Sequence, residues 1–126
     1  MSESHGKVIW SELNTRKPAE AADFFEKVLG LACVETPNPN GGIYRTLKRG
    51  EEMVAGILDI SGPAFEGAAD GWLTYLGCDD VDAACEAAKS AGGDVLSPPM
   101  EIPGIGKMAV IKDPGNAVVA LMKPSG

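Results

Sequence analysis

The chain has 126 residues, 44% of them hydrophobic and 23% charged, so it can bury a core and its composition is not that of a disordered protein. Its net charge of −7 disfavours nucleic acid and anionic membranes as partners and favours a neutral or cationic small molecule. Because no apolar run reaches the roughly 18–20 residues of a membrane span and the first residues lack a signal-peptide core, we expect a cytoplasmic protein.

The first half of the sequence predicts a β-α-β-β-β unit. Alternating apolar residues at 7–14 indicate a strand, and apolar residues at helical spacing indicate a helix over 18–29. Pro18 suits the first turn of that helix, and Gly30 suits its left-handed end. Turn-forming residues occupy 36–42. Further strands are predicted at 31–35, 43–48 and 53–60.

The second half repeats this order after a Gly-rich linker at 61–70. Asp79 or Asp80 is expected to cap a helix that Gly92 and Gly93 end. The buried stripe of that helix is predicted to consist of Val81, Ala84, Cys85 and Ala88. The remaining predicted segments are strands at 72–78, 94–97, 107–112 and 117–122, a loop at 98–106 and a turn at 113–116.

The two halves align without a gap at an offset of 62 positions. The aligned identities include Trp10 with Trp72, Lys27 with Lys89, Gly30 with Gly92 and Pro37 with Pro99. Because the identities run through a strand, a helix and further strands, they indicate two copies of one supersecondary unit. A half of about 60 residues would bury too little surface alone, so we expect one domain made of both halves.

Three short motifs resemble those of a known family. They are FFEKVLG at 24–30, DDVDAA at 79–84 and DPGN at 113–116. With the paired β-α-β-β-β order, they make the chain similar to the vicinal-oxygen-chelate superfamily, which includes glyoxalase I, bleomycin-resistance proteins and extradiol dioxygenases. The resemblance implies an α+β fold in which two tandem βαβββ modules form a curved mixed sheet with a cleft. The single domain over 1–126 would contain module one at about 7–60, the linker at 61–70 and module two at about 71–123.

Metal binding is a property of that family that the residues can test. Its enzymes place a His, Gln or Glu on the first strand and a Glu on the last strand of each module, and these side chains hold one divalent ion. The matching positions here are Trp10, Leu58, Leu73 and Ala120. None of these side chains can ligate a metal, so we expect neither a metal nor another cofactor.

The histidine and cysteine content also argues against a metal centre. The single histidine, His5, is expected to be solvated in a frayed N-terminus. The cysteines are odd in number and lack a CxxC spacing, which predicts buried thiols rather than a disulfide framework or a zinc site. They are Cys33, Cys78 and Cys85.

Strand alternation places Trp10, Glu12 and Asn14 on one face of the first strand, which we expect to line the cleft. Aromatic side chains beside a single acid suit an aromatic or cationic guest, with cation–π contacts worth roughly 0.5–2 kcal/mol each. For Glu12 the alternative is a solvent-exposed or Arg-paired carboxylate, and for both tryptophans it is filling of the seam between modules. The candidate ligand-binding residues are Trp10, Glu12, Tyr44, Leu58, Trp72, Leu73, Tyr75, Met108, Ala120 and Met122.

Two classes of function stay open. The first is a metal-independent protein that binds and sequesters an aromatic or cationic small molecule, as bleomycin-resistance proteins do. The second is a lyase or isomerase in which Glu12 is the general base and Tyr75 donates a hydrogen bond. Because no second convergent titratable group is evident, binding is the favoured interpretation, and whether the chain is an enzyme stays open. Modules of this superfamily pair within one chain or by exchange between two chains, and we expect a homodimer.

Overall fold

The computed structural model describes residues 1–39 and 41–125. The chain divides into two compact units. The first unit is Trp10–Leu73, and the second unit is Met1–Ile9 together with Thr74–Gly126. Among the described residues, neither helix is long and apolar enough to cross a membrane.

The predicted β-α-β-β-β order occurs twice, which confirms the α+β fold class. In chain order the elements are β1 (Val8–Thr15), α1 (Pro18–Leu29), β2 (Ala32–Pro37), β3 (Ile43–Arg49), β4 (Glu52–Asp59), β5 (Gly71–Gly77), α2 (Val81–Ser90), β6 (Asp94–Ile102), β7 (Gly106–Lys112) and β8 (Val118–Pro124). A short 3₁₀ turn at Pro63–Phe65 lies between β4 and β5.

In the first unit the strands lie in the order β2-β3-β4-β1, and α1 packs on one face of this sheet. β1 and β4 are parallel with Glu12 beside Gly56, whereas β3 is antiparallel to both of its neighbours. Leu47 and Ile57 are almost fully buried in the cluster that contains Ala22 of α1. Because side chains alternate along a strand, Glu12 and Gly56 belong to the face opposite α1.

The first helix begins and ends where the sequence predicts. Pro18 occupies its first turn, where a missing backbone N–H costs nothing. Gly30 ends it with φ of 70°, and the Gly30 N–H donates to the Glu26 carbonyl at 2.9 Å. A side chain would strain this left-handed conformation, which explains the glycine.

In the second unit the strand order is β5-β8-β7-β6, with β5 and β8 parallel. Of the two aspartates considered as helix caps, Asp80 is the one that accepts a hydrogen bond, from the Ala83 N–H at 3.0 Å. The sheet and α2 bury a small apolar cluster between them. It consists of Cys78, Val81, Cys85, Ala109 and Leu121.

Strand β6 is longer than predicted, because it continues through Pro98 and Pro99 to Ile102 where a loop was expected. In the order of the second unit's strands it lies at the edge, beside β7. Irregular register between β6 and β7 accompanies the prolines, which an edge strand tolerates because one side of its backbone needs no ladder partner. The turn predicted at 36–42 includes Asn40, which lies outside the described residues.

The expectation that His5 is frayed and merely solvated is wrong. Its Nδ1 accepts a hydrogen bond from the Asp79 N–H at 3.0 Å, and the residue forms a β-bridge with Gly77. These contacts attach the first residues to the second unit. The prediction of buried thiols is confirmed for Cys78 and Cys85, while Cys33 is partly exposed and all three are free.

The linker at 61–70 is held within the first unit by Arg16. The Arg16 backbone N–H donates to Asp70 at 3.0 Å, and its guanidinium binds the same carboxylate. The guanidinium also donates to the carbonyl oxygens of Ala68 at 2.6 Å and Phe65 at 3.4 Å. The backbone hydrogen bond from Arg16 and the guanidinium charge together lower the pKa of the Asp70 carboxyl.

Replacing Arg16 with Ala is expected to loosen this linker. Because the contacts are exposed and screened by solvent, the free energy of unfolding should change little. Cleavage by chymotrypsin after Phe65 and by Glu-C after Glu66 should become several-fold faster, since local opening no longer breaks the Arg16 bonds. Limited proteolysis read by mass spectrometry measures both rates, with Lys17→Ala as the matched control. Equal rates in the two variants would show that Arg16 does not hold the linker.

Candidate functional site

Strand β1 brings an acid into a buried position on the face opposite α1. Glu12 is only 6% exposed, although carboxylates are rarely buried without a partner. Trp10 and Asn14 flank it at two-residue spacing and therefore share its face. The three side chains therefore lie on one face of β1, as the alternation predicts. The burial of Glu12 distinguishes it from an ordinary surface carboxylate.

A chain of hydrogen bonds connects Trp10, Tyr44 and Glu12. The Trp10 Nε1–H donates to the Tyr44 hydroxyl at 3.1 Å, and that hydroxyl donates to Glu12 Oε2 at 2.8 Å. Tyr44 comes from β3, so two strands that are not adjacent are joined by these side chains. The direction of donation fixes the indole N–H and the phenol O–H as internal donors and the carboxylate as the acceptor.

Tyr44 is held in its neutral form. Burial raises the pKa of its phenol far above the usual range, and the neighbouring Glu12 carboxylate raises it further, while the bond from Trp10 acts in the opposite direction. The phenol therefore remains protonated at physiological pH and continues to donate to Glu12. It can orient the carboxylate but cannot serve as a base.

Gly56 provides the space in which the Tyr44 hydroxyl lies. A Cβ placed on Gly56 would be 1.6 Å from Tyr44 Oη and 3.0 Å from Trp10 Nε1. Gly56 is the parallel partner of Glu12, so the missing side chain lies directly beside the carboxylate. The sequence analysis did not select Gly56, although an isolated glycine inside a strand often marks a close approach of another group.

The other candidate in the first unit's sheet is Leu58, the parallel partner of Asn14 in β4. Leu58 is partly buried and adds an apolar surface beside Asn14.

Two further candidates, Trp72 and Leu73, are among the first residues of β5. Trp72 is 52% exposed and makes an edge contact with the Phe25 ring, at a centroid distance of 5.7 Å. Ligand contact by Trp72 and Leu73 stays a prediction.

The remaining candidates belong to the second unit. Tyr75 is paired with Ala120 and Met108 with Met122, and these residues alternate with the apolar cluster that contacts α2. They therefore share the sheet face opposite α2. Tyr75, Ala120 and Met122 are buried and Met108 is partly buried. Their roles as ligand contacts stay predictions, as does the role of Tyr75 as a hydrogen-bond donor in the enzymatic alternative.

The tyrosine that the sequence analysis did not connect to Glu12 is Tyr44. Strand alternation groups Tyr75 with Leu73 and makes it the candidate hydrogen-bond donor, whereas Tyr44 follows the Gly41-Gly42 turn and is a candidate ligand-binding residue only. The antiparallel register of β3 on β4, with Arg45 opposite Ile57, brings Tyr44 toward the strand that carries Glu12. The internal repeat of the sequence does not reveal the register between strands, so it could not predict that Tyr44 lies close to Glu12.

The donor set does not fit a divalent metal ion. The four positions that match the ligands of metal-dependent relatives carry an indole and three hydrocarbon side chains. Across residues 1–39 and 41–125, no three His, Cys, Asp or Glu side chains lie together in a way that could hold a metal ion. The chemical groups on the face are a hydrogen-bonded carboxylate, the Tyr44 phenol, the Asn14 amide, an indole ring and aliphatic surface.

Some relatives of the chain are about twice as long as the chain, and another has nearly the same length. The chain is 38% identical to "Putative glyoxylase CFP32" of Mycobacterium tuberculosis, over 95% of this chain and 45% of the relative. It is 30% identical to "Anthracycline biosynthesis protein DnrV" of Streptomyces peucetius, over 94% of this chain and 47% of the relative. The chain thus spans about half the length of these curated relatives. It is 25% identical to "Probable lactoylglutathione lyase" of Vibrio parahaemolyticus, over 92% of that protein.

Solved structures share the fold. Methylmalonyl-CoA epimerase from Mycobacterium tuberculosis aligns with a TM-score of 0.64 at 18% identity, over 100% of this chain and 93% of that one. Residues 7–121 also match the family model of the Glyoxalase/Bleomycin resistance protein/Dioxygenase superfamily. With the twofold β-α-β-β-β order, these matches establish that the chain belongs to the Glyoxalase/Bleomycin resistance protein/Dioxygenase superfamily.

Proposed function

We propose that the chain binds a small aromatic molecule that is neutral or cationic, and that it does so without a metal ion. The binding surface is the face opposite α1 in the first unit, around Trp10, Glu12 and Tyr44. The observation that carries the proposal is the buried Glu12 carboxylate, oriented by the Tyr44 hydroxyl at 2.8 Å. The net charge of −7 favours the same class of ligand.

Burial of a carboxylate is expensive for a folded protein. An apolar side chain of similar size at such a position is often as stable or more stable, so a buried charge is a candidate functional group. The Tyr44 bond occupies one of the roughly four acceptor sites of the Glu12 carboxylate. The negative charge of this carboxylate is the feature with which an ammonium group of a ligand would pair.

The indole of Trp10 supports an aromatic ligand. Its Nε1–H bond to Tyr44 fixes the ring orientation, so less side-chain freedom is lost when a planar molecule stacks on it. A cation near such a ring gains roughly 0.5–2 kcal/mol from the ring quadrupole. The name of the Streptomyces relative, an anthracycline biosynthesis protein, makes an amino-sugar anthracycline a suitable probe because it combines a planar ring system with an ammonium group.

An enzymatic function is the second candidate. Relatives are named as a glyoxylase and a lactoylglutathione lyase, and structural neighbours are epimerases. In a lyase or isomerase Glu12 would accept a proton from the substrate carbon, and the Tyr44 hydroxyl would hold the carboxylate in position. Because the chain spans about half of the first two relatives, the activity named for a whole relative is only a proposal for this chain.

The predicted homodimer and the predicted cytoplasmic location belong to this proposal as well. Family membership is consistent with a small-molecule ligand. The surface that would join two copies is not assigned. Both predictions are independent of the binding chemistry, so the experiments below do not depend on them.

The first test replaces Glu12 with Gln, which retains size and an acceptor oxygen while removing the charge. For a cationic ligand, affinity should fall by roughly 1–3 kcal/mol, the scale of a charge-assisted hydrogen bond. Stability should change little or rise, because a buried charge is removed. Titration followed by tryptophan fluorescence, with an amino-sugar anthracycline and smaller planar cations, measures affinity, and thermal melting measures stability.

The matched control is Glu52→Gln, which removes the same charge from an exposed position of β4. If both variants bind every ligand of the wild type equally, Glu12 is a structural residue and the proposal is wrong. If Glu12→Gln keeps its affinity for a substrate but loses turnover, the enzymatic alternative is correct.

A second test fills the space beside Glu12. In Gly56→Ala the new Cβ would displace the Tyr44 hydroxyl and disrupt its bonds to Trp10 and Glu12. We expect ligand affinity to fall at least tenfold and unfolding free energy to fall by roughly 1–3 kcal/mol, as for other overpacked sites. Gly62→Ala is the control, since its Cβ would meet no atom within 4 Å. Equal melting temperatures for the two variants would contradict the close approach of Tyr44.

A third test concerns metal ions. Untagged protein purified without chelator is expected to contain far less than one transition metal per chain by elemental analysis. Added zinc, nickel or manganese should leave the melting temperature unchanged, whereas a ligand at 100 times its Kd stabilises the native state by about 2.7 kcal/mol. Stoichiometric metal that stabilises the protein and is removed by EDTA would refute the metal-independent proposal.

A further inference from the structure

One polar atom on the proposed binding face has no hydrogen-bond partner among the residues that the structure describes. Asn14 Oδ1 is buried and accepts no hydrogen bond from any described residue. Among buried side-chain oxygen and nitrogen atoms of the described residues, it alone is in this state. Such an atom costs free energy in the unbound protein, so native structures rarely retain one without a use for it.

Asn14 lies on the same face as Glu12. The two residues are two positions apart on β1, so their Cα atoms are about 6.6 Å apart at the usual rise per residue. The parallel partner of Asn14 is Leu58, whose side chain cannot donate a hydrogen bond. On this face Asn14 thus has Glu12 as its neighbour along β1 and Leu58 as its neighbour across to β4.

Two donors near Glu12 on this face are used within the protein. The Trp10 N–H is directed to Tyr44, and the Tyr44 O–H is directed to Glu12. The oxygen atoms of Glu12 and Asn14 on this face are acceptors, while the Asn14 amide nitrogen is a donor. A molecule with several N–H groups can donate to both oxygens, whereas the negative charge of a carboxylate or phosphate group would be repelled by the Glu12 carboxylate.

We infer that Asn14 is a specificity-determining residue that accepts a hydrogen bond from the ligand, and that the ligand is an aromatic molecule with a primary or secondary ammonium group. This inference rests on the proposed binding function and narrows its ligand class. A primary ammonium has three N–H donors, enough for Glu12 and Asn14 together. The aromatic part lies on Trp10.

The experiment compares two probes of equal charge and the same ring. They are 2-naphthylmethylammonium, which has three N–H donors, and its N,N,N-trimethyl analogue, which has none. Isothermal titration calorimetry is carried out on the wild type, on Asn14→Leu, which has a similar volume and no acceptor, and on Asn14→Asp, which restores an acceptor oxygen. Thermal melting of each unliganded protein gives a readout that does not depend on binding.

For Asn14→Leu we expect about tenfold weaker binding of the primary ammonium and less than a twofold change for the trimethyl analogue. Asn14→Asp should bind the primary ammonium at least as tightly as the wild type. The melting temperature of unliganded Asn14→Leu should equal or exceed that of the wild type, because an unpaired buried oxygen is removed. A lower melting temperature would mean that the oxygen has a structural partner, and it would overturn the inference.

The binding results separate this inference from the proposed function. If the wild type binds the primary ammonium and Asn14→Leu binds both probes like the wild type, the inference about Asn14 is overturned while the proposed function stands. The same holds if the wild type binds other planar ligands but not the primary ammonium. If the wild type binds none of the aromatic probes, the proposed function fails and this inference fails with it.

Discussion

The burial of the Glu12 carboxylate is the constraint that organises the sheet face of the first unit. An unpaired ion in the interior would cost several kcal/mol, so its neighbours must supply hydrogen bonds. Tyr44 supplies one from a strand that is not adjacent to β1, and it can reach because Gly56 has no side chain. Trp10 then donates to the Tyr44 oxygen. Glu12, Tyr44, Trp10 and Gly56, on three strands, thus form one arrangement around the buried carboxylate.

The two faces of this sheet carry different kinds of side chain. Toward α1, the apolar residues Leu47 and Ile57 form a core with Ala22, and this core stabilises the fold without any polar contribution. On the other face, the raised pKa of Tyr44 keeps the phenol protonated, so that it can donate to Glu12 across the physiological pH range. Substitutions on the second face can therefore change binding chemistry while the core on the first face maintains the architecture.

Local signals explain what could be predicted from the sequence. The bounds of α1 follow from Pro18, the apolar spacing and Gly30, all of which act within a few residues. The Asp80 cap and the repeated strand order are likewise local or periodic. The contact between Tyr44 and Glu12 was not predictable, since it depends on the register of β3 on β4 and of β4 on β1. The predicted β6 is too short because prolines usually end strands. An edge strand such as β6 tolerates prolines, since one side of its backbone needs no partner strand.

Membership of the superfamily accounts for the fold but leaves the chemistry to the individual residues. The resemblance to the family matches Trp10 to the first-strand metal ligand of its metal-dependent members, and the residue two positions further on is the buried Glu12. An indole cannot replace a metal ligand, but its N–H can orient a tyrosine and its ring can contact an organic cation. Since the cores of both units are built from apolar residues of helices and strands, loss of a metal site would not remove the architecture. The same sheet can therefore support recognition by a carboxylate and an aromatic ring in place of chelation.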